Sequence, residues 1–132
     1  VIVSDFEYID DLHLVRYRKG AGRLFVVSRP YACFFRLNGG PVYYSVPDGM
    51  ETDFASIPKI VPRWIAEKVD VHIEAAVVHD HLCKTRPWSS RVAADIFNEA
   101  MRAAGVPAWR RQLMYRAVLY FGPQWETPSL PA

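Results

Sequence analysis

A chain of 132 residues that is 51% apolar and 14% aromatic, with a formal net charge of +2, has material for one hydrophobic core but too little for two. Such a composition excludes a disordered tail, and so small a charge gives no ground for expecting nucleic acid or an anionic membrane as partner. No apolar run approaches the ~18–20 residues of a bilayer span, and the opening VIVSDFEYIDD lacks the basic start and long apolar stretch of a secretory signal, so neither a membrane span nor a signal peptide is expected.

The first half alternates and breaks like a meander. LHLVRYR (12–18) is followed by Gly20-Ala21-Gly22, RLFVVS (23–28) by Pro30, and YACFFRL (31–37) by Asn38-Gly39-Gly40; PVYYSV (41–46) then runs into Pro47-Asp48-Gly49. Short β-branched or aromatic runs bounded by residues that tolerate turn geometry are the hairpin signature, which predicts an antiparallel sheet of about four strands.

The second half changes period. VPRWIAEKV (61–69) fits a short helix with Pro62 in its first turn, and HIEAAVVHDHLCK (72–84) fits another, stopped by Arg86-Pro87. SSRVAADIFNEAMRAAG (89–105) places Val92, Ile96, Phe97, Ala100 and Met101 at helical spacing, with Ser89 or Ser90 as cap and Gly105 as terminator. Pro107 opens a last helix, PAWRRQLMYRAVLYFG, that ends at Gly122-Pro123. Strands followed by helices predict one α+β domain over residues 1–122, with three to four helices packed on the sheet, and an extended Pro-rich tail over 123–132.

Cys33 and Cys83 have no C-x-x-C spacing, so two free, partly buried thiols are expected and zinc held by thiolates is not. Asp80 and Asp95 each interrupt an otherwise apolar helical segment. A carboxylate there must be paired, hydrogen-bonded, protonated or metal-bound. His79 and Asp80 offer an imidazole nitrogen and a carboxylate oxygen to one divalent ion, but adjacent residues diverge by about 100° on a helix, so the pair works best near a helix end. The plainer alternative gives Asp80 a hydrogen bond from an arginine such as Arg91 or Arg63, and lets His79 satisfy a backbone carbonyl. In TDFASIP (52–58), Asp53 and Ser56 either bond their own downstream backbone or act as ligand, general base and nucleophile. Ser56 lacks the G-x-S-x-G elbow that activates a serine. Basic residues from Lys84 to Arg116 lie among tryptophans and tyrosines, the combination a base-stacking surface needs. No nucleic-acid-binding signature accompanies them, and aromatics at helical spacing are usually core.

The order VPDGMETDFASIP, AAVVHDHLC, SRVAADIFNEAMRAAGV and RRQLMYRAVLYFG resembles the phage and prophage family catalogued as domain of unknown function 1353. The resemblance runs over roughly residues 43–122 and falls on Thr52, Asp53, Ser56, Pro58, His79, Asp80, Arg91, Asp95, Tyr115 and Gly122. Where members commonly show an aromatic, this chain has His81. The resemblance implies a phage or prophage origin, a place in the virion or the host cytoplasm, and other phage proteins as partners, but supplies no reaction; no nucleotide or organic cofactor is expected.

If Asp53, His79, Asp80 and Asp95 converge, they suit a divalent metal ion and metal-assisted hydrolysis, with a second carboxylate as base and Arg91 orienting the substrate; bacterial cell wall is then the expected substrate. Two rivals stand beside this expectation. One is a particle or tail component in which the same residues form a buried lock. The other is a nucleic-acid-binding or host-interfering module.

Overall fold

Strands come first and helices second in this α+β chain. The computed structural model describes residues 2–19, 22–52 and 73–128. Two units are separable: Val1–Ala55, which carries the strands, and Ser56–Ala132, which carries the helices. Asp53, Ser56 and the helix expected over 61–69 lie outside the described residues.

In the first unit the described strands are β1 (Val3–Tyr8), β2 (Leu14–Lys19), β3 (Gly22–Val27), β4 (Tyr31–Leu37), β5 (Gly40–Val46) and β6 (Glu51–Thr52). They form two three-stranded antiparallel sheets, ordered β1-β4-β5 and β2-β3-β6, where the alternation predicted four strands in one sheet. The four expected strands are β2 to β5; the sequence pattern missed β1 and β6. β1 escapes an alternation reading because its register shifts between Ser4 and Glu7 and Asp5 sits at φ 52°, a bulged geometry that breaks the period of two.

The β4–β5 hairpin shows why its sequence folds as it does. Leu37 pairs with Gly40 across a two-residue loop, and Asn38 and Gly39 both have positive φ, 51° and 82°. Tight hairpins need that geometry, and Asn-Gly is the pair that adopts it most easily. Along β4, Tyr31, Cys33 and Phe35 are buried; on the opposite face Phe34 meets Tyr43 of β5 with ring centroids 5.0 Å apart. Val27, Val46 and Met50 are also buried, and a fully buried side chain of this kind stabilises the fold by roughly 1.5–3 kcal/mol.

In the second unit the described helices are α1 (Ile73–Thr85), α2 (Ser90–Ala103) and α3 (Ala108–Phe121), and α2 packs against both of the others. Every residue of α1 from Ala75 to Asp80 is buried. Six consecutive positions cover the whole circumference of a helix, so α1 is an interior helix. α2 is amphipathic, burying Val92, Ile96, Phe97, Ala100 and Met101. Ser89 caps it by accepting from the Val92 amide at 3.3 Å. Its end is a Schellman turn: Gly105, at φ 84°, donates to Arg102, and Val106 donates to Met101, as the left-handed glycine just past a helix allows. α1 stops at Arg86, also at positive φ (51°), whose amide donates to Leu82.

Candidate functional site

His79 lies on α1 six residues before the helix ends at Thr85, so the His79-Asp80 pair sits inside the helix rather than at the fraying end a shared metal would favour. The two side chains accordingly diverge. His79 is 3% exposed; its ring lies against Phe97 of α2 with centroids 4.9 Å apart, and both ring nitrogens are 3.8 Å from the Cys83 sulfur one turn on. Burial lowers its pKa to about 4, because an imidazolium there loses its hydration. Burial, reinforced by the Asp80 carboxylate, pushes the Cys83 thiol up to about 12 against a smaller opposing pull from Arg86. At neutral pH the pair is a neutral imidazole beside a neutral thiol, the opposite of the thiolate–imidazolium couple that a cysteine nucleophile needs.

Asp80 is also buried, with 8% of its side chain exposed, and Oδ2 lies 3.7 Å from the ammonium of Lys84 at i+4. Among the described residues its ionic partner is this lysine on the same helix rather than Arg91; Arg63, the other arginine expected as partner, lies outside them. Among the described residues Asp80 Oδ2 has no hydrogen-bond partner, so the pair with Lys84 is Coulombic, a weaker arrangement than a bonded one.

Asp95 points elsewhere. Tyr115, on α3, donates its hydroxyl to Asp95 Oδ1 at 2.5 Å, tying α2 to α3. Burial raises the Tyr115 pKa to about 12, the bond to Asp95 and the charge on that carboxylate add to the rise, and the nearby Arg91 guanidinium opposes it. Arg91, Asp95 and Tyr115 therefore form one electrostatic neighbourhood.

Residues beyond α3 close this end of the unit. Gly122 ends the helix, and a Cβ there would stand 2.6 Å from the Val118 carbonyl oxygen, so only glycine fits without displacing backbone. The chain then turns back to the start of α2. The Ser90 amide donates to the Trp125 carbonyl at 3.0 Å, the Trp125 amide donates to Ser90 Oγ at 3.1 Å, and the Trp125 indole donates to the Trp88 carbonyl at 2.6 Å. The Ser89 amide donates to Thr127 Oγ1 at 3.0 Å, and the Arg86 guanidinium lies 4.7 Å over the Trp125 ring. Beside this clasp lies an open cleft of about 350 Å³ whose walls include Ser90, Arg91, Tyr120, Gln124, Trp125 and Glu126.

The described part of the expected constellation thus resolves into separate pairs: His79 with Phe97 and Cys83, Asp80 with Lys84, Asp95 with Tyr115. Among the described residues no three His, Cys, Asp or Glu side chains are placed to hold a metal ion, and Asp53 and Ser56 lie outside them. Gln124 and Glu126 were not foreseen as site residues, and Trp125 only as one of the aromatics of a base-stacking surface.

An α+β protein with strands first and helices second, two of the helices tied by the half-buried Tyr115–Asp95 bond, is what these observations define. The chain belongs to the family described as "Protein of unknown function (DUF1353)", whose model matches residues 25–118. It is similar to two proteins of Sinorhizobium fredii (strain NBRC 101917 / NGR234): uncharacterized protein y4jT, 40% identical over 83 residues, which are 62% of this chain and 25% of that protein, and uncharacterized protein y4iH, 33% identical over 76 residues, 57% of this chain and 32% of that protein. The matched stretch spans about a quarter to a third of the length of these relatives. No solved structure matches the chain.

Proposed function

We propose that the chain is a non-catalytic component of a bacteriophage or prophage particle, and that His79, Asp80 and Asp95 serve the integrity of its helical unit rather than a reaction. Phage origin is supported by the serial order of the T-D-F-A-S-I-P, H-D-x-L, S-R-x-x-A-D and M-Y-x-A-V motifs. The observation that carries the non-catalytic part is the 2.5 Å bond from Tyr115 to Asp95. It commits one oxygen of the carboxylate that a metal-dependent hydrolase would need as ligand or base to holding two helices together.

A double-mutant cycle on Asp95→Asn and Tyr115→Phe, read by urea unfolding, tests the lock. A hydrogen bond to a charged group is worth about 1.5–3 kcal/mol, and coupling of that order is expected. Metal analysis of full-length protein purified without chelators tests the rival: a stoichiometric divalent ion lost in His79→Ala with stability retained would replace the lock with a metal site. Mass spectrometry of gradient-purified particles from an induced lysogen carrying the gene tests the location, and absence from the particles would remove that part of the proposal.

A further inference from the structure

The cleft beside the clasp separates its polar groups into two sets. One set is consumed by structure: Gln124 Nε2 donates to the carbonyls of Leu119 (2.8 Å) and Gly122 (3.1 Å), Ser90 Oγ is engaged by the Trp125 backbone, and the Trp125 indole by Trp88. These groups make a rigid wall that needs no ordering when something binds. The other set is free of such ties. Among the described residues Arg91 and Glu126 form no salt bridge, although both line the cleft, and the Tyr120 side chain, also on its wall, is 69% exposed.

What fits a planar cation, a carboxylate and an open aromatic face lining one cleft is constrained by charge. An anion is drawn to Arg91 and repelled by Glu126; a cation meets the reverse. A neutral molecule with neighbouring hydroxyl groups satisfies both, accepting from the guanidinium and donating to the carboxylate, while an apolar face of C–H bonds lies on the Tyr120 ring. The volume of about 350 Å³ falls at the small end of the ~300–1,000 Å³ of small-molecule sites. We propose that this cleft binds a neutral saccharide, either a free sugar or one residue of a longer glycan. This inference does not depend on a phage origin or on the helix lock.

Amide chemical-shift titration of the full chain tests it, with glucose, galactose, N-acetylglucosamine and maltotetraose at millimolar concentrations as probes and inorganic phosphate as the anionic control. At least one sugar is expected to shift the amides of Arg91, Gln124 and Trp125, and Tyr120→Ala is expected to weaken that binding about tenfold, the loss of one ring contact. Glu126→Gln, at an exposed position, provides a second variant that leaves the packing alone and is expected to weaken sugar binding several-fold. Equal affinity for glucose and maltotetraose identifies a free sugar as the natural class; affinity rising with chain length identifies a glycan. The inference is overturned if none of the sugars shifts these amides, if the shifts are the same in both variants as in wild type, or if phosphate binds the cleft more tightly than every sugar.

Discussion

Acidification should weaken the helical unit through His79. The side chain is 3% exposed and faces Phe97 and Cys83, so folding requires the neutral imidazole. In the unfolded chain the ring takes its proton near pH 6.5, whereas in the folded unit it does so only near 4. Between these values the unfolded state holds a proton that the folded state does not, and stability falls as pH drops through that window; above 6.5 the residue contributes no pH dependence. The gap, at ~1.4 kcal/mol per pH unit, amounts to about 3 kcal/mol, most of it lost by pH 4.5. His81, half-buried beside it and also lowered by burial, adds in the same direction but is common to wild type and variant. The assay is urea unfolding followed at 222 nm, where helices dominate the signal, at pH 7 and pH 4.5 for wild type and His79→Gln. The variant should be less stable at pH 7 and lose about 2–3 kcal/mol less on acidification. Equal losses in the two proteins would refute the premise that a buried neutral imidazole is required.

Alkali should act through Tyr115. With its pKa raised to about 12 from an ordinary 10, the stability it contributes is complete below pH 10 and falls as pH rises toward 12. Tyr115→Phe should show a shallower loss over that range in thermal melts. Gly122→Ala should lower stability by about 1–3 kcal/mol, because the new methyl meets the Val118 carbonyl; an unchanged melting temperature would show that the turn yields without cost. Cys33 and Cys83, both pushed up to about 12 mainly by burial, should react slowly with a disulfide reagent at pH 8 in the native protein and rapidly in denaturant.

Local signals were legible in the sequence, and long-range ones were not. Asn38-Gly39, Ser89 and Gly105 marked a hairpin, a cap and a Schellman stop because each acts on its own few residues. Division of the strands into two sheets depends on which distant strands pair, as β1 does with β4 and β6 with β3, and no local pattern carries that. Asp95 stood out because a charge in an apolar run must find a partner. Its partner, Tyr115, lies 20 residues on and is fixed by how two helices cross. His79 was noticed for its adjacency to Asp80, yet the periodicity that made α1 a helix also sends the two side chains apart. The Trp125 clasp left the faintest trace, since an extended tail reads the same whether it frays or returns to Ser90.

That clasp also bears on how the chain assembles as it is made. The first turn of α2 is completed by Trp125 and Thr127, 35 and 38 residues downstream of their partners. On the ribosome, where folding proceeds from the N-terminal side, α2 and α3 emerge and begin to pack before the segment that seals them has left the exit tunnel. With α3 already docked on α2, only the few residues after Phe121 remain to be ordered, so the seal is a short closure although its partners are far apart in sequence.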